Sequence, residues 1–371
     1  MGSRRGLATW VGLWAIFCMA CGTGGGGGDG EPPKSYEYCV YVTSNDSKNV
    51  SVFGMNAATG ALTSVVGSPY SLGDYPTSVA VDPSGRFLYV PTQLDDNIKA
   101  FVIKARTGQL SPVAGSPFAA GHWPYDIAVD PSGRFVYVVN DESWTIGAYA
   151  ISSTTGALTS IGTADTGAYP MEFAVDPLGR FVYVVNFSDF NVSGFAINAS
   201  TGALTEIPGS PFWAGQSPFV IAIEPLGKFA YFSNGSPSPH VKVMAIDAVT
   251  GALTDAGDLT VCNGTLPGSF AFDPTGKYAY LTSSDAVFAY AIDAVTGVLT
   301  ELAGSPYAIS GVPISVAVDP SGKFLYVANY SANAISGFSI DAGTGALTGL
   351  GGSPISLGVS PSELIVVHIN Q

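Results

Sequence analysis

A unit of about 48 residues occurs seven times along the 371-residue chain. Its clearest marker is a Thr-Gly-x-Leu turn, whose glycines stand at positions 60, 108, 156, 202, 251, 297 and 345. A proline that precedes an apolar run follows the same rhythm, at positions 76, 124, 170, 218, 267, 313 and 361. Residues 36–371 number 336, which is seven times 48. A repeat of this length predicts an array in which each unit packs against its neighbours.

Each unit reads as four β-strands joined by tight turns. In the second unit, the apolar run 126–129 is followed at 130–133 by Asp-Pro-Ser-Gly, which is typical of a type I turn. Runs rich in β-branched and aromatic residues then cover 135–139, 144–151 and 158–161. No unit has the apolar period of a helix. Because a single four-stranded sheet cannot bury both of its faces, the sequence predicts an all-β fold, a seven-bladed β-propeller with four antiparallel strands per blade.

The two ends of this repeat region are expected to share one blade. Residues 361–368 match the innermost strand of the other units, and residues 38–42 match the second strand. Only six Asp/Glu-Pro-x-Gly turns occur, because the seventh would fall where the two ends meet. We therefore predict a propeller domain over 36–371 whose last blade is closed by the N-terminal and C-terminal strands, which removes an exposed sheet edge.

The first twenty residues read as an export signal. Arg4 and Arg5 precede a short apolar stretch, and Cys21 follows Cys-Met-Ala in a sequence that resembles the bacterial lipobox. We expect residues 1–20 to be a lipoprotein signal peptide, Cys21 to be acylated, and the Gly-rich residues 21–35 to form a flexible tether. An ordinary signal peptide with a chance cysteine is the alternative. The first reading predicts an exported protein of the bacterial cell envelope that contacts the membrane through a lipid anchor at Cys21.

Charge restricts the partners. Acidic residues outnumber basic ones by 28 to 14, which gives a net charge of −14. No basic stripe could neutralise phosphates, so the composition argues against a nucleic acid partner. The same charge disfavours binding of anionic lipid by the protein surface, which leaves acyl chains as the expected membrane contact.

Two segments carry a family resemblance. Residues 78–90, which read Ser-Val-Ala-Val-Asp-Pro-Ser-Gly-Arg-Phe-Leu-Tyr-Val, resemble the seven-bladed β-propeller lactonases, whose best-known members hydrolyse 6-phosphogluconolactone. Residues 40–45 and 50–53 are similar to the YVTN repeat of surface propellers. The likeness covers 36–371 and implies the propeller fold. The activity that it implies is lactone hydrolysis.

The polar residues that this family commonly uses are missing at the matching positions. Its enzymes commonly have a histidine directly after the proline that precedes the innermost strand, and arginine nearby for an anionic substrate. The seven matching positions here hold Thr77, Tyr125, Met171, Phe219, Gly268, Ile314 and Ser362. The arginines that follow residue 35, at 86, 106, 134 and 180, fall in turns of the opposite face. Because a sugar phosphate needs cationic partners, 6-phosphogluconolactone itself is disfavoured as a substrate.

The residue two positions after each proline should rim the central channel. These residues are Ser78, Asp126, Glu172, Val220, Ser269, Ser315 and Glu363. Asp126, Glu172 and Glu363 fall on one arc of neighbouring blades. Three carboxylates there could bind a hard cation such as Ca²⁺ at the channel mouth. Alternatively, repulsion and burial could raise one pKa enough for work as a general base, with Asp126 and Glu172 as the candidates. Solvated rim acids without a function are the third reading.

A histidine and several aromatic residues complete the candidate site. His122 lies two residues before Pro124, which is out of register with the family's histidine but near enough to be a candidate catalytic base. Irregular aromatic residues on the same loops could stack on sugar rings or simply plug the channel. They are Trp123, Tyr125, Trp144, Phe190, Trp213 and Phe219.

Other repeated residues are expected to be structural. The pair Phe87 and Tyr89 recurs in most units, which predicts packing between blades, and the basic residue before it, Arg86, predicts a contact with the adjacent turn. Cys39 and Cys262 fall at opposite ends of different blades, so we expect no disulfide between them.

Three functions stay open on the sequence alone. The first is a binding or scaffold module that uses the channel face for a glycan, a peptide or an envelope protein. The second is a lactonase acting on a neutral sugar-type lactone, with His122 or a rim carboxylate as base and loop amides polarising the carbonyl. The third is a structural component of a surface layer. Propeller folds host many unrelated functions, so the fold does not choose among them.

Overall fold

The computed structural model describes residues 34–236 and 238–369. They form seven antiparallel sheets of four main strands each, arranged in a ring, which confirms the predicted seven-bladed β-propeller. Within these ranges there is no α-helix, and two short 3-10 turns occur at Gln93–Asp95 and Cys262–Gly264. No helical segment of the described chain is long and apolar enough to cross a membrane. The predicted signal peptide, Cys21 and the predicted tether up to residue 33 lie outside the described residues.

The blades are numbered from the first complete unit, and the closing blade is blade 7. The N-terminal part of blade 7 contains β1 (Tyr38–Ser44), β2 (Asn49–Met55), β3 (Leu62–Ser64) and β4 (Tyr70–Ser71). Blade 1 contains β5 (Ala80–Val81), β6 (Phe87–Thr92), β7 (Asn97–Ile103), β8 (Leu110–Pro112) and β9 (Phe118–Ala119). Blade 2 contains β10 (Pro124–Val129), β11 (Phe135–Asn140), β12 (Thr145–Ile151) and β13 (Leu158–Asp165). Blade 3 contains β14 (Pro170–Val175), β15 (Phe181–Asn186), β16 (Asn191–Ile197), β17 (Leu204–Glu206) and β18 (Phe212–Trp213).

The remaining blades follow the same order from the channel outward. Blade 4 contains β19 (Gln216–Ile223), β20 (Phe229–Ser236), β21 (His240–Ile246) and β22 (Leu253–Leu259). Blade 5 contains β23 (Phe270–Phe272), β24 (Tyr278–Ser283), β25 (Ala286–Ile292), β26 (Leu299–Glu301) and β27 (Tyr307–Ala308). Blade 6 contains β28 (Pro313–Val318), β29 (Phe324–Asn329), β30 (Ala334–Ile340), β31 (Leu347–Gly349) and β32 (Ile355–Ser356). The innermost strand of blade 7 is β33 (Leu364–His368).

The prediction that both ends of the repeat region build blade 7 is confirmed. β33 lies antiparallel to β1, with Tyr38 opposite His368 and Val42 opposite Leu364. The N–H of Ser362 also donates a hydrogen bond to the carbonyl oxygen of Thr43 at 2.8 Å, which extends the pairing past the end of the strand. β1 is therefore paired on both sides, and the ring closes without an open inner edge.

A buried tyrosine in the second strand of each blade connects that blade to the next one. The Tyr89 hydroxyl donates a hydrogen bond of 2.9 Å to the carbonyl oxygen of Gly156, in the Thr-Gly-x-Leu turn of blade 2. The same contact, at 2.6 to 3.3 Å, joins Tyr41 to Gly108, Tyr137 to Gly202, Tyr183 to Gly251, Tyr231 to Gly297, Tyr280 to Gly345 and Tyr326 to Gly60. The prediction that the repeated aromatic residues pack between blades is confirmed.

The turn between the first and second strands holds the repeated basic residue. The Asp82 carboxylate accepts hydrogen bonds of 2.6 Å from the N–H groups of Arg86 and Phe87. The Arg86 guanidinium lies 5.0 Å from the Phe87 ring centroid and donates to the carbonyl oxygen of Ser153 in the next blade at 2.9 Å. Arg86 therefore has the structural role that the sequence predicted.

The outermost strand has two forms. In blades 1, 3, 5, 6 and 7 a Gly-Ser-Pro sequence splits it into a three-residue and a two-residue strand, and both pair with the third strand. The serine hydroxyl oxygen accepts a hydrogen bond from that third strand, as Ser116 does from the Ala100 N–H at 2.9 Å. Blades 2 and 4 lack the Gly-Ser-Pro sequence, and their outermost strands β13 and β22 run unbroken for eight and seven residues.

Candidate ligand site at the channel mouth

One end of the central channel opens into a cavity of about 360 Å³. Its lining comes from the segments that directly follow the prolines, so all seven blades contribute. The lining residues are Thr77, Ser78, Tyr125, Asp126, Met171, Glu172, Phe219, Val220, Gly268, Ser269, Pro313, Ile314, Ser315, Ser362 and Glu363. The seven positions predicted to rim the channel are all among them. The sequence therefore located this cavity correctly.

The rim position also connects six of the seven blades to the next one. The Ser315 hydroxyl oxygen accepts a hydrogen bond from the Leu364 N–H at 3.2 Å, and Ser269 accepts one from the Val316 N–H at 3.3 Å. Carboxylates do the same elsewhere: Glu363 accepts from the Val79 N–H at 3.1 Å, Asp126 from the Phe173 N–H at 3.2 Å, and Glu172 from the Ile221 N–H. We call this series of contacts the polar belt. Val220 in blade 4 has no polar side chain and interrupts it.

The structure brings Asp126, Glu172 and Glu363 together in one cavity. Each is half-buried, open to the cavity on one side and surrounded by protein on the others. Asp126 accepts a hydrogen bond of 2.7 Å from the Ser78 hydroxyl and a second bond from its own blade, from the Ile127 N–H at 2.8 Å. Together with the bond from blade 3, three donors therefore hold the Asp126 carboxylate.

The three carboxyl groups influence one another's protonation. Desolvation raises the pKa of Asp126 to about 6, although its three hydrogen-bond donors oppose the rise. Desolvation, followed by the charge of Asp126, raises the pKa of Glu363 to about 8. The same causes, with the charge of Glu363 added, raise the pKa of Glu172 well above its usual value. As the pH rises, Asp126 therefore loses its proton before Glu363 does, and burial and the neighbouring charges favour the protonated form of Glu172 as well.

Tyr125 and Phe219 supply the aromatic part of the lining. Burial, and then the charges of Glu172 and Asp126, raise the pKa of Tyr125 to about 12, so its hydroxyl group stays protonated and can donate to a ligand. The cavity lining contains no arginine, lysine or histidine. It offers hydrogen-bond donors and acceptors together with the three acidic side chains.

The predicted calcium site finds no support in this geometry. Among the residues that the structure describes, no group of three or more His, Cys, Asp or Glu side chains is arranged to hold a metal ion. The raised pKa values of Glu172 and Glu363 also weaken them as ligands, because metal ions bind the deprotonated form. The calcium site stays a prediction.

The structure places His122 outside the cavity that contains the three rim carboxyl groups. His122 is not part of the cavity lining; its side chain is exposed and lies between two other acids. Nδ1 is 2.9 Å from Asp96, on the loop of blade 1, and Nε2 is 3.1 Å from Glu142 in blade 2. These carboxylates, Asp96 first, raise the pKa of His122. His122 therefore joins two loops, and the geometry does not support a base that acts together with Asp126.

The predicted aromatic set divides into three places. Tyr125 and Phe219 line the cavity, whereas Trp123, Trp144 and Phe190 lie on the loops around it. Trp213 belongs to β18 at the outer side of blade 3, where its ring lies 5.1 Å from Lys242 Nζ. The single aromatic platform that the sequence predicted is therefore not formed by all six residues.

Two residues of the loop surface escaped the sequence analysis. Tyr75 and Tyr169 directly precede their prolines and are exposed, with positive backbone φ angles of 64° and 53°. Trp123 has the equivalent position and a φ of 55°. Bulky residues rarely take this conformation, and such strain gathers at ligand sites. The signal was the aromatic residue directly before the proline in three successive units.

The family model described as lactonase, 7-bladed beta-propeller, matches residues 114–212, 207–316 and 285–360, which together cover 114–360. No curated protein sequence gives a significant match.

Solved structures share the fold at low sequence identity. A candidate 6-phosphogluconolactonase from Bacteroides uniformis superposes with a TM-score of 0.77 at 20% identity, over 89% of this chain and 99% of that chain. The periplasmic gluconolactonase of Pseudomonas aeruginosa superposes with a TM-score of 0.74 at 17% identity, over 90% of this chain and 99% of that chain. Identities this low show the fold alone, whereas the family model covers more than half of the sequence. The chain belongs to the lactonase family of seven-bladed β-propellers.

Proposed function

We propose that the channel mouth binds a neutral, hydroxyl-rich ligand of the sugar or sugar-lactone type, and that the protein is primarily a binding module. One observation carries this proposal: three of the seven rim positions hold carboxyl groups that share a single cavity. At Ser269 and Ser315 a serine makes the same contact between blades. The carboxyl groups are therefore not required by the fold, and their desolvation has to be offset by another interaction.

The protonation of the three rim carboxyl groups favours an uncharged ligand. A carboxylate at Asp126 and carboxyl groups with raised pKa values at Glu363 and Glu172 present acceptors and donors side by side, as a sugar with several hydroxyl groups requires. A phosphorylated or carboxylated ligand would meet Asp126 without a cation in the lining to balance it. We therefore place 6-phosphogluconolactone outside the ligand class.

The loops around the cavity favour a ligand that extends out of it. Trp144 and Tyr169 are 49% and 51% exposed, and their ring centroids lie 6.4 Å apart across the boundary between blades 2 and 3. Exposed aromatic faces beside acidic groups suit the apolar faces of sugar rings. A glycan with one residue in the cavity and others on these rings is the ligand that fits both features.

Calorimetric titration of the full chain with neutral oligosaccharides tests the proposal, with cellobiose, maltotriose and chitobiose as probes. Glu172→Ala should weaken binding at least tenfold. Glu206→Ala is the matched control, because it removes an exposed carboxyl group of the same blade that is not part of the cavity lining, and binding should stay within about twofold, a change below about 0.5 kcal/mol. Equal losses in both variants, or no binding of any probe at about 10 mM, a very weak affinity, would contradict the proposal.

Hydrolysis of a neutral lactone is the second candidate function. The difference in pKa among the three carboxyl groups of the cavity favours it. The ionised Asp126 can accept a proton from a water molecule while the oxygen of that water attacks the carbonyl carbon of the lactone. A protonated Glu172 or Glu363 can donate a hydrogen bond to the carbonyl oxygen, or protonate the ring oxygen as the carbon–oxygen bond breaks. The products are the hydroxy acid and the restored carboxyl groups after proton exchange with water.

A pH-stat assay separates binding from turnover. We expect a lactonase to hydrolyse D-glucono-1,5-lactone faster than its 6-phosphate, and Asp126→Asn to lower the rate at least a hundredfold. His122→Ala should stay within about twofold of the original rate, because His122 is outside the cavity. Sugar binding without lactone hydrolysis above the rate in buffer would exclude the lactonase function and support the binding function.

We also propose that the protein is exported and anchored through Cys21. The support is the lipobox-like sequence and the glycine-rich segment that follows it. Membrane fractionation of cells that express the full chain tests this, with Cys21→Ala releasing the protein and Cys18→Ala leaving it in the membrane fraction. Release of both variants, or of neither, would contradict the anchor.

A further inference from the structure

The outer edge of blade 2 differs from that of the five blades with a split outer strand. β13 runs unbroken from Leu158 to Asp165 and pairs with β12 on one side. No hydrogen bond to its other side is present among the described residues. Beside it lies a cavity of about 100 Å³, lined by Ala148, Ile161, Gly162, Thr163, Ala164, Ala203 and Leu204. We call this cavity the edge socket.

In the five blades with a split outer strand, the equivalent space is filled by the chain itself. In blade 5 the residue after Gly-Ser-Pro is Tyr307, whose hydroxyl oxygen accepts a hydrogen bond of 3.0 Å from the N–H of Leu347 in blade 6. Leu347 closes a Thr-Gly-x-Leu turn, and Leu204 of the edge socket is the same position in blade 3. The other split blades place Tyr70, Phe118, Phe212 and Ile355 in the same clusters as the matching leucines.

Leu204 is less buried than most of the leucines at its position. Leu110, Leu158, Leu253 and Leu347, which an aromatic residue covers, are buried. Leu299, beside blade 4, is also buried, because it packs in one cluster with Leu259 of β22. Leu204 is half-buried, as is Leu62, which only the smaller Ile355 covers. The edge socket is therefore the place of an absent aromatic side chain, next to a strand with free hydrogen-bonding groups.

The charge on the two unbroken edges also differs. β22 of blade 4 carries Asp255 and Asp258, which bind the buried Lys242 at 2.7 and 3.2 Å. Charged residues on an edge strand oppose pairing with another chain. β13 has no charged residue until its last position, Asp165. Only β13 thus combines an uncharged edge with an empty apolar socket.

We propose that β13 and the edge socket bind an extended segment of a partner protein, which adds a strand to blade 2 and inserts an aromatic side chain between Ala203 and Ala164. The chemistry of this segment is that of the Gly-Ser-Pro-Phe sequence, which fills the same place within blade 1. Main-chain hydrogen bonds to β13 would supply the affinity, and the edge socket would supply the specificity. A second copy of this chain is disfavoured, because the side chains of β13 include no aromatic residue.

A synthetic peptide with the sequence of residues 113–120, Val-Ala-Gly-Ser-Pro-Phe-Ala-Ala, serves as the probe. Fluorescence anisotropy should show saturable binding to the full chain, and the peptide with alanine in place of phenylalanine should bind at least tenfold more weakly. Ala203→Phe, which fills the edge socket, should also weaken binding at least tenfold. Ala61→Phe is the matched control, since Ala61 is exposed at the same turn position of blade 7, and it should leave binding unchanged.

Melting temperatures of both variants verify that they fold. Equal binding of the two peptides, or unchanged binding after Ala203→Phe, would overturn the proposal. Sedimentation supplies a further check: dimers of the full chain that Ala203→Phe dissociates would show that a second copy occupies the edge, and would likewise overturn it.

Discussion

The hydroxyl group of Ser78 donates a hydrogen bond of 2.7 Å to the carboxylate of Asp126 across the boundary between blades 1 and 2. The contact joins two equivalent rim positions of neighbouring repeats. It also stabilises the charged form of Asp126 and so opposes the rise in pKa that burial causes.

Replacement of Ser78 tests this contact. Ser78→Ala should lower the free energy of unfolding at pH 7 by about 1.5 to 3 kcal/mol, as is typical of hydrogen bonds to charged groups, and should raise the pKa of Asp126 further. Ser269→Ala removes a neutral contact of the polar belt and should cost only about 0.5 to 1.5 kcal/mol. Urea denaturation measures both. Equal costs would mean that Asp126 is not ionised in the folded protein.

Stability should fall as the pH rises from about 5 to 8. The folded-state pKa values of Asp126 and Glu363, about 6 and about 8, lie above the values in an unfolded chain. The folded state therefore holds more protons in this range, so the stabilisation is complete at low pH and is lost as the pH passes these values. Glu363→Gln should flatten the profile by roughly 1 to 3 kcal/mol. Thermal melts over this pH range, with Glu206→Gln on the surface as control, measure it.

The tyrosine contacts between blades should each contribute to stability. Tyr137→Phe leaves the buried carbonyl oxygen of Gly202 without its partner and should cost about 1 to 3 kcal/mol. Tyr278→Phe removes a comparable bond of 2.7 Å to Gly343, but this bond is exposed, so water replaces the hydroxyl and the cost should stay below about 1 kcal/mol. Denaturation midpoints decide; a smaller cost at Tyr137 than at Tyr278 would contradict the role of the buried contact.

The glycine of the Thr-Gly-x-Leu turn should tolerate no side chain. At Gly156, φ is +75° and a Cβ would lie 2.4 Å from Phe87 Cδ1. Gly156→Ala should therefore destabilise the protein by more than about 1 kcal/mol. Gly349→Ala is the control, since open space surrounds that position, and it should change stability by less than about 0.5 kcal/mol. Similar melting temperatures for the two variants would show that the turn can rearrange.

The repeat predicted the fold so closely because each of its marked residues has a local and repeated task. Asp82 caps a turn, and the Tyr89 hydroxyl donates a hydrogen bond to the carbonyl oxygen of Gly156 in the next blade. The rim position was also predictable, because every proline sets the same register for the strand that follows.

Features that depend on neighbouring blades were not predictable in the same way. The position of His122 is set by Asp96 and Glu142, which come from different turns of the chain. The edge socket arises because one unit lacks a segment, and its walls belong to two blades. The rim carboxyl groups both line the cavity and connect neighbouring blades. This second role also depends on two repeats, since each carboxyl group accepts its hydrogen bond from the next blade in the ring.

The pairing of β1 with β33 has a consequence for synthesis of the protein. β1 leaves the ribosome together with its outer partner β2 but acquires its inner partner only when residues 364–368 have followed. During that interval the inner edge of β1 is open to other strands. Loss of those few residues would leave that inner edge unpaired, so it should harm assembly more than their small number suggests.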